Sequence, residues 1–217
     1  KMNLKVAMVT GDSEEVAKLI LLKKTKVPKI KSEKILVEFC HANTHKGFHI
    51  GHLRNICIGD AFCRILETVG HKVFRVNYQG DIGPHVAKCI WGYLHLFKDK
   101  EPNENKGIWL GQVYAEANKI ISEEQIKEIT KDLYAGKRSV VAAWKKTRKW
   151  SLEYFDNIYK ELGVKFDRLY FESEVEKPGT KIVKDVFKKG FAKLSEEAII
   201  MDLKEYGLGT IVLLTKE

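Results

Sequence analysis

Glu38-Phe39-Cys40-His41-Ala42-Asn43-Thr44-His45-Lys46-Gly47-Phe48-His49-Ile50-Gly51-His52 is the stretch whose reading decides the fold. It opens on a short apolar run, Ile35 to Cys40, with the single acid Glu38 inside it, the pattern of a parallel strand buried on both faces. A polar loop from His41 to Phe48 follows. His49 to Thr68 then reads as a helix, with Ile58, Phe62, Ile65, Leu66 and Val69 at helical spacing and Gly70 at the C-cap position. Val73, Phe74 and Val76 supply a second strand. A strand-to-strand spacing of about 35 residues suits one right-handed crossover unit.

Working outward, residues 1 to 31 hold an alternating stretch (Leu4, Val6, Met8) and a short helical pattern (Val16, Leu19, Ile20, Leu22). A basic segment around Pro28 comes next and reads as a linker, so a boundary is expected near residue 32. Residues 33–97 then form the first half of a parallel-sheet domain. Residues 98–217 form a helical and mixed insertion that returns to the sheet. Within the insertion, the polar span from 98 to 110 is a connection. Helices are expected over Gln112 to Ile121, Glu123 to Tyr134 and about Arg138 to Leu162, the last stopping at Gly163. Trp144 and Trp150 alternate there with Lys145, Lys146, Arg148 and Lys149. Such a mixture can track a nucleic acid backbone, but on an amphipathic helix the aromatics face the core and the charges face water, and the core placement is the expectation. A strand from Lys165 to Phe171, a helix from Lys181 to Lys189 capped by Gly190, and strands at Ala198 to Leu203 and Thr210 to Leu214 complete the pattern. The run Ile211 to Leu214 suits a strand buried on both faces.

Composition places the chain among globular proteins, since 44% hydrophobic and 31% charged residues exclude the disordered and fibrous classes. No stretch approaches the roughly 18 apolar residues of a membrane helix, and the start lacks the layout of a signal peptide. A soluble protein without membrane association is expected. Cys40, Cys57, Cys63 and Cys89 show no Cys-x-x-Cys spacing, so free thiols in a reducing cytoplasm are expected. A formal charge of +9 favours a polyanionic partner, although a lysine-rich solvated surface gives the same sum.

The chemistry concentrates between Glu38 and Asp60. A loop leading into a helix presents free backbone N–H groups and the positive end of the helix dipole, a ready place for phosphate. His49 and His52, three residues apart on the first turn, can both donate to phosphate oxygens. Gly51 between them leaves room for a flat ring to approach the backbone.

In this context, between a strand and a helix, His49-Ile50-Gly51-His52 resembles the signature of class I aminoacyl-tRNA synthetases. The flanks Val37-Glu38-Phe39, Asn43, Lys46, Leu53-Arg54-Asn55 and Gly59-Asp60 are similar to the arginyl members. So are Asn77-Tyr78, Gly80-Asp81-Ile82-Gly83, Tyr170-Phe171-Glu172-Ser173 and the stretch from Asp202 to Leu208. The resemblance implies an α/β, Rossmann-like nucleotide-binding domain with a mostly helical insertion. It implies ATP-dependent activation of L-arginine, with Mg2+ accompanying ATP as substrate and no tightly bound cofactor, and transfer to tRNA-Arg. By the same resemblance His49 and His52 contact the ATP phosphates, Gly51 lies against the adenine, Lys46 supplies charge, and Glu38 and Asn43 hold the amino acid. The family's later Lys-Met-Ser-Lys-Ser loop, guanidinium pocket and anticodon-binding domain are expected past Glu217, so these residues alone are expected to be inactive. A monomer is expected. Ala42 and Gly47 stand where the family usually has proline, which predicts a more flexible loop.

Two other readings attach to the same residues. His41, His45, His49 and His52 beside Cys40 could share a zinc ion, although Gly47 and Gly51 argue against a continuous helix there. Without metal, His41 and His45 are expected to be polar loop residues. A non-catalytic tRNA-binding or assembly module would keep the strands and the insertion, but the intact His49, Gly51 and His52 weigh against it.

Overall fold

The computed structural model describes residues 30–98 and 100–215. The strand, helix and linker expected over residues 1 to 29 lie outside the described residues. Strand β1 (Lys34–Glu38), helix α1 (Ile50–Val69) and strand β2 (Lys72–Gln79) make the expected βαβ unit, with β1 and β2 parallel and Leu36 opposite Phe74. A third strand, β3 (Arg168–Phe171), pairs in parallel with the other side of β2 and completes the order β1-β2-β3. This is the α/β parallel-sheet architecture that the sequence predicts. Helix α1 starts at its N-cap His49 and ends at Gly70, whose φ of 110° only glycine adopts readily.

The apolar repeat that reveals α1 in the sequence is not the face that packs. Ile56, Gly59 and Cys63 are buried against Phe39, and a Cβ on Gly59 would come within 2.2 Å of the Phe39 ring, so glycine permits the close approach. Ile58, Phe62 and Ile65 remain 50 to 61% exposed. The reason is geometric: α1 is apolar on two sides, and the sheet covers one. Strand β1 is likewise half-exposed instead of buried on both faces. Val37 and Val73 point toward α1, while the alternating Leu36 and Phe74 point to the opposite, open side.

Four helical segments lie between β2 and β3. They are α2 (Pro84–Trp91), continuing as a π-helical turn over Gly92–Leu96, then α3 (Lys106–Ile120), α4 (Glu123–Tyr134) and α5 (Arg138–Glu161). The polar connection is shorter than expected, because α3 starts at Lys106 behind Asn105. Helix α4 has the predicted bounds, set by a capping box between Ser122 and Gln125. Trp150 is buried beside Tyr93 and Trp109, and Trp144 packs on the same cluster, so the core placement of both tryptophans holds. Helix α5 joins two cores: Val140, Ala143 and Trp150 serve the insertion, whereas Phe155 and Tyr159 pack with Phe39 and Ile56 beneath the sheet. That bridge orients the insertion against the strand ends.

After β3 comes α6 (Glu172–Lys188), nine residues earlier than the sequence reading and running through Pro178. Glu172 and Glu174 in its first turn favour that start through the helix dipole. Strands β4 (Lys193–Ser195), β5 (Ala198–Asp202) and β6 (Thr210–Leu214) form a separate antiparallel sheet in the order β4-β5-β6. Strand β4 was not foreseen. Nor is β6 buried on both faces: Ile211 and Val212 are exposed, and the strand is the edge of its sheet, paired with β5 alone.

Candidate active site

The three parallel strands end on the same side, at Glu38, Gln79 and Phe171, and the segments after them border one crevice, the usual ligand position in an open α/β sheet. The first is the loop from Phe39 to Phe48. Cys40, His41 and His45 adopt positive φ of 84°, 60° and 64°, unusual for residues with a side chain and maintained only where surroundings enforce it. Here they do. His41 N donates to Asn77 Oδ1 (3.0 Å), Gln79 Nε2 to Ala42 O (3.0 Å), Thr44 N to Gly80 O (3.0 Å), and His45 N to Ser151 Oγ (2.9 Å). A loop expected to be flexible is therefore pinned from β2 below and α5 beside it. The backbone of Gly47 lies close to Gly111 of α3, where a Cβ would come within 3.3 Å of the Gly47 nitrogen.

His45 is a second correction. It is fully buried, not a polar residue in solvent, with Nδ1 bonded to Thr44 Oγ1 and Nε2 to Thr147 Oγ1, both at 2.8 Å. Burial, reinforced by the charges of His85 and Arg148, holds its pKa down at about 3, so the ring is neutral. His41 instead reaches Glu38 Oε1 (2.9 Å) at the surface. Both nitrogens of His45 are spent, and no three His, Cys, Asp or Glu side chains among the described residues gather as a metal-binding set. The zinc arrangement thus has no geometry behind it.

His49 and His52 sit at the start of α1. His49 Nδ1 accepts the Gly51 N–H (3.1 Å), His52 Nδ1 accepts the His49 N–H (3.3 Å), and the two rings stack with centroids 3.7 Å apart. A Cβ on Gly51 would lie 2.9 Å from the His49 ring, so Gly51 is what lets that ring fold back over the helix end. With Nδ1 accepting in both rings, the hydrogen-bond network assigns the proton to Nε2 in both. Partial burial first, then His49 and Lys46, lowers the His52 pKa to about 4, so it is a neutral donor at pH 7. Lys46 lies over the Tyr114 ring, 5.3 Å from its centroid, and its charge also helps burial lower the pKa of His85.

Asn43 and Glu38 lie toward the other end of the crevice. Asn43 Oδ1 accepts Gly80 N (2.9 Å), which fixes the amide at the end of β2. A Cβ on Gly80 would meet that oxygen at 2.8 Å and the Glu172 carboxylate at 3.1 Å, so Asn43 and Glu172 face each other across Gly80. Burial, then Asp81 and Glu176, raises the Glu172 pKa, and burial, Glu172, Asp81 and Glu38 raise that of Tyr78. The site is therefore rich in carboxylates, and among the described residues no cation pairs with Glu172. The sequence pattern gives Asp81 and Glu172 no role and places Arg148 among charges facing water, whereas Arg148 pairs with the buried Asp81. An acid placed directly after a strand end was the available signal.

The family described as tRNA synthetases class I (R), catalytic domain, matches residues 15–217. The chain belongs to the class I arginyl-tRNA synthetase family. Curated relatives of this family include the arginine–tRNA ligase of Bdellovibrio bacteriovorus, 35% identical over 198 residues, and that of Treponema denticola, 31% identical over 229. These matches cover 86% and 99% of this chain but 34% and 39% of the relatives, so the chain spans little more than a third of their length. Among solved arginyl-tRNA synthetases, the Plasmodium falciparum enzyme superposes with a TM-score of 0.63 at 27% identity, over 78% of this chain and 29% of its own. The Thermus thermophilus enzyme, at 22% identity and a TM-score of 0.69 over 93% of this chain and 36% of its own, shares the fold.

Proposed function

We propose that these residues form the phosphate-binding and amino-acid-binding part of an arginine–tRNA ligase, which activates L-arginine with ATP, accompanied by Mg2+, and passes it to tRNA-Arg. The observation that carries this reading is the pair of stacked histidines whose Nδ1 atoms are occupied at a helix start. Their Nε2–H groups are left as donors beside the positive end of the α1 dipole. In activation the arginine carboxylate attacks the α-phosphorus, the bond to the bridging oxygen breaks, and pyrophosphate leaves. Charge builds on the phosphoryl oxygens at that moment. Donors already fixed there stabilise that state more than the ground state and so speed the reaction. We assign His49 and His52 this role, Gly51 the adenine side, and Lys46 added positive charge. Asn43 and Glu38 take the α-amino end. Glu172 joins the guanidinium pocket whose remaining parts are expected past Glu217, a role suited to a crowded carboxylate that no cation among the described residues pairs with. The free cysteines fit a cytoplasmic setting, and among the described residues no helix is long and apolar enough to cross a membrane.

Arginine-dependent exchange of pyrophosphate into ATP by the complete protein, with and without tRNA, tests the reading. Exchange that requires arginine supports it; tRNA binding without any exchange would favour the non-catalytic module.

A further inference from the structure

We propose that the buried Asp81–Arg148 pair is a positioning device for Glu172, so that recognition of the amino-acid side chain depends on two residues that do not touch it. The inference rests on the assignment of Glu172 made above. Asp81 follows β2 directly, and its carboxylate is wholly buried. Its Oδ1 accepts the backbone N–H of Ser173 (2.9 Å), and its Oδ2 accepts both Ser173 Oγ (2.8 Å) and Arg148 Nε (2.7 Å). Its backbone oxygen accepts Trp144 Nε1 (2.7 Å). Arg148 in turn stacks on the Phe171 ring, 4.0 Å from its centroid, with Trp144 at 5.6 Å.

The two residues that flank Glu172 are thus held by the two halves of one ion pair, Phe171 by Arg148 and Ser173 by Asp81. Between them Glu172 has its backbone fixed, while among the described residues no hydrogen bond or ion pair occupies its carboxylate. A side chain held at both neighbours but left open at its tip suits ligand recognition. A purely structural glutamate would have its acceptors filled, as those of Asp81 are. The pair also spans three elements: Asp81 leaves the sheet, Arg148 lies on the long insertion helix α5, and Ser173 opens α6. The insertion thereby reaches the crevice through charge and not through a side chain that contacts substrate. Guanidinium suits this position because its planar face stacks on Phe171 while its edge donates to the carboxylate, a combination that an ammonium cannot reproduce.

The test uses the complete protein and steady-state pyrophosphate exchange, with Ser173→Ala and Arg148→Lys chosen because neither strips the buried carboxylate of all its partners. Each is made alone and in a Glu172→Gln background. Each single variant should raise KM for arginine about ten-fold while leaving KM for ATP within about two-fold, and the same change in the Glu172→Gln background should raise it less than about two-fold, the non-additivity expected of residues acting through one another. Equal increases in both backgrounds, or parallel increases for arginine and ATP, would overturn the positioning role while leaving the assignment of Glu172 intact. An unchanged arginine KM in Glu172→Gln alone would overturn both. Asp81→Asn, followed by circular dichroism, separates misfolding from mispositioning: retained fold with raised arginine KM supports the proposal, and retained fold with normal KM counts against it.

Discussion

The loop between β1 and α1 is polar and buried, whereas the segments after Phe171 leave large apolar side chains exposed. Thr44 and His45 are completely covered, yet α6 has no buried residue and Phe191, Leu194, Tyr206 and Leu208 stand in solvent. Hydropathy alone would reverse the two. The polar loop can be buried because its backbone and side-chain groups find partners on β2 and α5, which removes the usual cost of burial. Those side chains stay exposed on and beside a sheet of only three strands. Burial therefore follows the availability of partners, and the crevice at the strand ends forms where the partners are.

That contrast can be broken at several points. The largest effect is expected at the start of α1, where the partnered loop ends. In the complete protein His49→Ala or His52→Ala should lower the rate of arginine activation by about a hundred-fold or more, the usual result of losing a fixed donor at a developing anion, with little change in arginine KM. Asn43→Ala should instead raise arginine KM, since its partner is present in the ground state. A reversed pattern in steady-state kinetics would mean that the two sets serve the opposite substrates.

Next in size is Thr147→Val, which leaves the buried His45 Nε2 without a partner and should cost about 1–3 kcal/mol in urea unfolding. Leu194→Ala, on the exposed sheet, should change stability by less than about 0.5 kcal/mol. Equal costs would erase the distinction between the regions. Gly59→Ala tests the packed face of α1 in the same assay. Alanine gains about 1 kcal/mol of helix propensity but must displace the Phe39 ring, and overpacking of about 1–3 kcal/mol should make the change net destabilising. Phe62→Gln, on the open face of the same helix, should be close to neutral.

The most gradual effect is with pH. His45 is neutral when folded, with a pKa of about 3, and near 6.5 when unfolded. Its folded pKa is depressed, so between those values the unfolded chain binds the extra proton. Its contribution is fully present above pH 6.5 and falls by at most about 1.4 kcal/mol per pH unit as the pH drops toward 3. His45→Gln should flatten that slope in denaturant titrations across pH 4 to 6.5. An unchanged slope would show that His45 is not the group responsible.

Much of this molecule was determined by sequence alone. The βαβ unit is legible because a short apolar run, a helical repeat and a terminal glycine are local signals, and the bounds of α4 and the stop of α5 at Gly163 are legible for the same reason. His49 and His52 were legible because a helix start is also a local feature. Tertiary structure decided what depends on residues far apart in the chain. It chose which apolar face of α1 is covered, since Ile56 and Ile58 look alike until the sheet takes one side. It buried His45 through Thr147, 102 residues away, and it brought Asp81 to Arg148 and Ser173, 67 and 92 residues distant. Periodicity reports the conformation of a segment, but a buried polar partner is chosen by the packing of elements that only the folded chain brings together.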